Sequence, residues 1–421
     1  PEAFEVPNGF SLPYYFGASA IGLAITGNDP YASTTQSRNL RVIETSFNPV
    51  YRVKNDIVEL NADYALTPQL TLTSQTAFNN DFLWSLEDFN RFNTSPGVFG
   101  VNDVITANGG TYCGQFGCLP TGTFCDPQIG CSDRLTAEDL STEHSWQLGQ
   151  EIRLASNLNG PFNFSVGGNY LHYETDEDYY VFFNSLTAAK AQGAINAAGG
   201  TWIPGVSDAA QCLYKGLVLP VPSAVHGVGD CAYIDPNPVE HLDGNGHNYF
   251  RSQNPYVLNS YAFFGEAYYS IFSDLKLTTG LRWTADRKHF VNIPSELLVG
   301  GWGYPITGTL DQSWNKFTGR VAANWTPKID FTDQTLIYGS YAHGYKAGGA
   351  NPPGAVLLAY GGGQIQTEIS TPIHPLTFKP EFVDAFEIGT KNTLLDGALT
   401  LNVSGFYYNY EDYQISEIVD R

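Results

Sequence analysis

Residues 261 to 283 read YAFFGEAYYSIFSDLKLTTGLRW, and polarity alternates with a period of two on both sides of Phe272-Ser273-Asp274. In the first arm Tyr261, Phe263, Ala267 and Tyr269 fall on one side and Glu266 on the other. In the second, Leu275, Leu277, Leu281 and Trp283 oppose Lys276, Arg282 and Asp286. Successive side chains of a strand point to opposite faces, so the stretch predicts an antiparallel hairpin with one apolar and one charged face.

The same construction recurs on either side. Val58, Leu60, Ala62, Tyr64 and Leu66 alternate with Glu59, Asn61 and Asp63; after Thr67-Pro68-Gln69, Leu70, Leu72 and Phe78 oppose Thr71, Thr73 and Gln75. Trp146, Leu148, Ile152 and Leu154 alternate with Gln147, Glu151 and Arg153, and a turn at Ser156 to Pro161 leads to Phe162, Phe164, Val166 and Tyr170. A fourth hairpin joins Phe317, Val321, Ala323 and Trp325 to Leu336, Tyr338 and Ala342, and a fifth turns at Asp396-Gly397, a favoured two-residue hairpin turn, before Leu399, Leu401 and Val403. Between hairpins run long polar connections, roughly residues 91 to 140, 184 to 255, 291 to 313 and 347 to 377. Residues 185 to 198 are alanine-rich and predict a short helix within one of them. Strict alternation of short and long connections is the asymmetry of an outer-membrane barrel, short turns facing the periplasm and long loops facing outside. Residues 1 to 50 read mostly as an extracellular loop and lead-in, with extra strand pairing at Leu40 to Thr45, and residues 51 to 421 as about ten barrel strands.

Composition agrees. Of 421 residues, 14% are aromatic and 15% charged, against about a quarter charged in soluble domains. Mean hydropathy is −0.19. Such a chain suits a wall with lipid on one side and water on the other. No run approaches the roughly 18 consecutive apolar residues of a spanning helix. A net charge of −21 excludes nucleic acid as a partner and leaves basic ligands or a metal-bridged lipopolysaccharide surface.

Cys113, Cys118, Cys125, Cys131, Cys212 and Cys231 lie in polar, glycine-rich stretches. The spacings of the first four are wider than those of usual zinc ligand pairs, so the reading is disulfides in an oxidising compartment, with Cys212 bonded to Cys231 and three pairings open for the other four. The acidic run Glu174, Asp176, Glu177, Asp178 with Tyr179 and Tyr180 falls where a strand leaves the membrane, and with His241 and His247 supplies candidate ligand contacts. There is no nucleophile elbow, zinc-protease helix or phosphate-binding glycine loop, so no enzyme and no cofactor is expected. Period two assigns Val58, Leu60, Leu148, Ile152, Phe164, Phe263, Leu277, Leu281, Val321 and Leu401 to lipid. It assigns Glu59, Asp63, Glu151, Arg153, Glu266, Arg282, Arg320, Glu387 and Lys391 to a wet lumen.

Particular stretches resemble the barrel of TonB-dependent receptors: Gln150-Glu151-Ile152-Arg153-Leu154-Ala155-Ser156, Phe264-Gly265-Glu266-Ala267-Tyr268-Tyr269 and Gly280-Leu281-Arg282-Trp283-Thr284. Tyr338 to Gly349 is similar to a recurrent strand of that family. Lys379-Pro380-Glu381 with Glu387-Ile388-Gly389-Thr390-Lys391 is similar to its penultimate hairpin. The resemblance covers residues 50 to 421. It implies an all-β, antiparallel transmembrane barrel of 22 strands of which this chain is an internal part, lacking the plug, the TonB-binding box and the last strands. The implied role is active import across the bacterial outer membrane, energised by TonB, of a small molecule or metal chelate. Ferric siderophores are the leading cargo, and saccharide, haem or cobalamin uptake or a passive porin the alternatives.

Overall fold

The computed structural model describes residues 37–88, 93–94, 96–97, 122–184, 237–242, 250–293, 296–297, 308–351 and 377–415. In chain order the strands are β1 (Val50–Thr67), β2 (Leu70–Asp88), β3 (Phe124–Asp126), β4 (Gly130–Ser132), β5 (Ala137–Ser156), β6 (Phe162–Phe183), β7 (Phe250–Gln253) and β8 (Tyr256–Phe272). They continue as β9 (Leu275–Asn292), β10 (Glu296–Leu297), β11 (Gly308–Trp325), β12 (Gln334–Lys346), β13 (Gly349–Ala350), β14 (Thr377–Phe378), β15 (Glu381–Leu394) and β16 (Leu399–Glu411). Ten long strands form one antiparallel meander in the order β1-β2-β5-β6-β8-β9-β11-β12-β15-β16, with β7 and β10 added beside β6. Among the described residues no helix is long and apolar enough to cross a membrane.

The five short turns lie along one rim, and each touches the next. The amide of Asn157 donates to the Gln69 carbonyl, Ser270 to Pro161, Thr326 to Asp274 and Asp333 to Thr393, all at 2.8 Å. The Gly397 amide reaches Asp333 Oδ2 at 3.0 Å. This last turn is a four-residue loop rather than the expected two-residue one. Leu395, Asp396 and Gly397 are all left-handed, with φ of 59°, 53° and 84°. Lashing of Gly397 to the neighbouring turn accompanies the wider bend. Leu40 to Thr45 adds no strand; β1 begins at Val50.

Register fixes the faces. Glu59, Asp63, Glu151, Arg153, Glu266, Arg282, Arg320, Glu387 and Lys391 share one face through the pairs Asp63↔Thr73↔Arg153, Glu266↔Gly280↔Arg320↔Ala342 and Ser340↔Glu387. The ten residues assigned to lipid share the other. Leu336, Tyr338 and Ala342 correct the reading of the fourth hairpin: they oppose Asn324, Arg320 and Lys391 on the polar face, while Ile337 and Tyr341 take the apolar one. A one-residue change in register exchanges the two faces, and the 326–333 turn, the longest of the five, left it unspecified.

Strands of 13 to 22 residues outrun the 9 to 11 that a membrane needs. Beyond the bilayer, the apolar-side residues are covered by the chain itself. Trp84, Leu86, Leu140, Tyr180 and Phe182 form a buried cluster under Val239, with Phe47, Val50, Ile129 and Leu242 packed against it. The Ser46 amide and hydroxyl, both donating to Asp88 Oδ2 at 2.6 and 2.9 Å, hold the lead-in there.

β11 and β12 separate part-way up. Only Gly319–Trp325 pairs with Ile337–His343, although β11 pairs with β9 over its whole length. The rest of β12 and the residues after it pass over the polar face. Tyr345 donates to Asp286 Oδ2 at 3.0 Å, Lys288 Nζ to the Gly348 carbonyl at 2.6 Å and Gln312 to the Gly349 carbonyl at 3.2 Å.

Close strand crossings depend on missing side chains. A Cβ on Gly167 would stand 2.6 Å from the Ile152 carbonyl and 2.7 Å from the Phe264 ring, whereas one on Gly405 meets nothing within 4 Å. Gly167→Val is therefore expected to destabilise the folded barrel by about 1 to 3 kcal/mol through overpacking, and Gly405→Val by much less. Folding titrations in lipid vesicles measure both, and equal effects would refute the crossing.

Candidate functional site

The polar face carries a ladder of ion pairs and hydrogen bonds built over glycines. Glu266 and Arg320 lie two strands apart, with Gly280 between them. Because Gly280 has no side chain, Arg320 Nε reaches across it to donate to Glu266 Oε1 at 2.6 Å. Tyr268 donates to Glu266 Oε2 at 2.7 Å, and the Lys276 ammonium lies 4.7 Å from the centre of the Tyr268 ring. Farther along, Tyr338 lies across Gly389 to donate to Glu387 Oε1 at 2.5 Å, beneath Lys391. Arg282 donates to Thr284 at 3.1 Å above the Phe264 ring, and Arg153 stands 4.0 Å from Glu151. These pairs are solvated, and each contributes at most about 1 kcal/mol. What they provide is a wet, charged wall. Arg153, Glu266, Tyr268, Arg282, Arg320 and Tyr345 line a cavity of about 730 Å3 roofed by the end of β12.

At the far end from the turns, the acidic run divides between faces. Glu177 and Tyr179 take the polar face; Asp176, Asp178 and Tyr180 point the other way. Asp178 is gripped by Arg251, whose Nε and Nη2 donate to Oδ1 at 3.0 and 2.9 Å, and the same guanidinium covers Tyr180. Burial still holds the Asp178 carboxyl above its ordinary range despite Arg251. Tyr180 belongs to the apolar cluster. On the polar face Tyr179 donates to Asp139 at 3.3 Å, and Tyr173 and Thr175 both donate to Glu143 Oε1 at 3.2 Å. Burial, then the charges of Glu143 and Asp178, raises Glu177; burial, then Glu87, raises Asp139. Beside these carboxylates run the rings of Tyr173, Tyr256 and Phe290, with centroids 6.1 and 4.8 Å apart. The inner mouth is therefore acidic and aromatic.

His241 ends a short 3-10 turn, Val239–His241, and is exposed. His247 lies outside the described residues, as do Cys113, Cys118, Cys212, Cys231 and the alanine-rich stretch. Cys125 and Cys131 form a disulfide across the β3–β4 hairpin. Among the described residues, no three His, Cys, Asp or Glu side chains are placed to hold a metal ion. Sequence reading put Asp286 on the polar arm but passed over Tyr268 and Lys288, whose polar-face parity was visible, and Glu138, which fell in a presumed loop. Glu138 sits 4% exposed at the outer end of β5. Burial, followed by the charges of Asp126, Asp88 and Glu240, pushes its carboxyl up to about 8.

A two-faced meander with one rim of short turns and a charged wall is the geometry of an outer-membrane barrel. The family profile described as TonB dependent receptor-like, beta-barrel matches residues 4–420. The chain belongs to the TonB-dependent receptor family. Members are receptors and transporters of the bacterial outer membrane, not enzymes, and this barrel wall resides there. Solved structures similar to it include the ferric yersiniabactin uptake receptor of Yersinia pestis, at 13% identity and a TM-score of 0.47, covering 87% of this chain and 37% of the receptor. The siderophore receptor PiuA of Acinetobacter baumannii is similar at 16% identity and 0.44, covering 85% and 40%. The ferric-catecholate import receptor Fiu of E. coli K12 is similar at 13% and 0.43, covering 87% and 42%. The chain thus spans about two fifths of the length of these receptors. No curated protein matches it.

Proposed function

We propose that this TonB-dependent receptor imports a ferric siderophore or a related iron complex, and that the described strands form the side of the barrel along which the complex passes. The observation that carries the reading is the separation of faces. Val58, Ile152, Phe263, Leu281 and Val321 stand exposed on one side, toward lipid, and Glu151, Arg153, Glu266, Arg282, Arg320, Glu387 and Lys391 line the other, toward a watery lumen and a plug that TonB displaces. Ligand capture belongs to the loop end. There Glu177 and Tyr179, with Asp139 and Glu143, favour complexes that are neutral or cationic over polyanionic ones, because a cleft lined by one sign of charge concentrates the opposite sign. Lipopolysaccharide packs against the outer strand ends through divalent cations.

The test is uptake of radiolabelled iron complexes by cells whose other iron receptors are deleted and which carry the full-length gene. The expected result is saturable accumulation of a neutral or cationic complex that vanishes without TonB. Uptake that persists without TonB identifies a passive pore. Transport of saccharide, haem or cobalamin with no iron complex taken up replaces the cargo.

A further inference from the structure

The cavity on the polar face opens where the wall divides. β11 and β12 stay paired only up to Gly319 and His343, and above that pair the end of β12 lies over the polar faces of β9 and β11. The cleft between these two layers is the cavity of about 730 Å3, a size that takes a small molecule. Its floor follows one cross-strand row, Arg153↔Gly167↔Phe264↔Arg282↔Thr318. Gly167 has no side chain, and the Phe264 ring lies over it, where a Cβ would stand 2.7 Å from the ring. An apolar floor therefore separates two guanidinium groups on one face, whose Cα atoms are three strand spacings, or about 14 Å, apart.

Charge along the lining is unbalanced. Of its acids, Glu266 accepts from Arg320 and Tyr268 at 2.6 and 2.7 Å, and Asp286 accepts from Tyr345 at 3.0 Å. Arg153 and Arg282 add positive charge beyond these pairs. Arg282 is positioned by a hydroxyl and a ring, its Nε donating to Thr284 at 3.1 Å and its Cζ lying 5.7 Å from the centre of Phe264. Arg153 comes no nearer to Glu151 than 4.0 Å. His343 lines the opposite layer, its Nδ1 2.8 Å from Asp384 Oδ1. The Thr284 bond takes one of the five N–H donors of a guanidinium, whose forked terminal nitrogens match the two oxygens of a carboxylate. A cleft lined by an excess of one charge concentrates the opposite one. We propose that this cleft binds the carboxylate of a small organic acid, held between Arg282 and Arg153 with its carbon skeleton on the Phe264 ring. The proposal rests on the reading of this face as a lumen and is independent of the cargo. The acidic mouth admits such a ligand when its other end is uncharged or cationic.

The test is modification of the full-length receptor in detergent by phenylglyoxal, which attacks guanidinium groups, followed residue by residue by mass spectrometry. Benzoate is the probe and benzamide its uncharged isostere. The expected result is that benzoate slows modification of Arg282 and Arg153 saturably and benzamide does not. Arg287, exposed on the opposite face of β9, should react at the same rate throughout. Arg153→Gln should raise the benzoate concentration that half-protects Arg282 by about tenfold, as expected for the loss of one charge-assisted hydrogen bond. Lys54→Gln, which removes an exposed cation of β1, should leave it unchanged. If Arg153→Gln does not assemble, the contrast between benzoate and benzamide on the wild-type receptor decides. An Arg282 that phenylglyoxal never reaches, protection by benzamide as well as benzoate, equal slowing at Arg287, or half-protection unaltered in Arg153→Gln overturns the proposal. TonB plays no part in this measurement, so its outcome is separate from that of the uptake experiment.

Discussion

Raising the pH from about 4.5 to about 8 is expected to loosen the outer layer over β2, β5 and β6, and Glu138→Gln to remove that loosening. Glu138 lies 18 positions from the Ser156 rim. At roughly 3.3 Å per residue and a tilt near 45°, that places it about 40 Å above the rim, clear of an apolar band roughly 25 Å tall. The sign follows from the direction of the shift. Its carboxyl titrates near 4.5 in the unfolded chain and near 8 when packed, so the packed state holds the proton more tightly. Below 4.5 both states are protonated and no cost arises. The cost of burial grows as pH rises from 4.5 and is complete above about 8. At about 1.4 kcal/mol per unit, the gap corresponds to an upper limit of roughly 4 to 5 kcal/mol, reduced wherever water enters as the layer opens. Protease susceptibility of the β3–β4 hairpin, measured against pH, reads the effect. A wild-type profile that stays flat between these limits, or one that Glu138→Gln reproduces, would show that the carboxyl carries no such burden.

The second large effect separates the two faces. Leu281 is 60% exposed on the apolar side, six positions from the Leu275 rim and therefore near mid-membrane. Leu281→Arg should cost about 2 to 4 kcal/mol in a vesicle folding titration, because a guanidinium there must be solvated by deforming the bilayer. A charge on the other face should cost far less. Gly280 is a poor comparison, since a side chain there intrudes on Glu266, with a Cβ 3.0 Å from its Cγ and Oε1. Ser165, directly opposite Glu266 on β6, is the better one. Ser165→Lys places a cation beside that carboxylate and should lose under about 1 kcal/mol, as expected of solvated pairs. Similar penalties at both positions would mean that the faces have been exchanged.

Much of this architecture was written in local pattern. Period two at Tyr261 to Trp283 fixed which residues share a face, and the short linkers at Pro68, Gly160, Ser273, Asp330 and Gly397 fixed which strands are neighbours. Both follow from chain geometry: a strand has only two faces, and a tight turn joins only adjacent antiparallel strands. Nine charged residues placed on one face by alternation lie there. The hairpin with the longest of these turns lost the guidance on faces, and Leu336, Tyr338 and Ala342 went to the face opposite the one read for them.

Contacts between distant strands followed a different logic. Glu266 meets Arg320 because Gly280 intervenes, and Tyr338 meets Glu387 because Gly389 does. These depend on the stagger of separate hairpins, which no single segment encodes. The run Glu174 to Tyr180 looked like one acidic surface, yet the pleat divides it, and Arg251, more than 70 residues away in sequence, takes up Asp178. Glu138 was hidden for the same reason. Its end of β5 reads as loop, and its burial beside the hairpin at Cys125–Cys131 and the turn at Val239–His241 appears only in the folded chain. The sequence by itself determined the strands, their faces and the membrane they suit, because those depend on near neighbours and on the solvent each side chain prefers. Tertiary structure alone decided which charges meet and which are buried, because burial and pairing are set by segments that approach only once the sheet has closed them together.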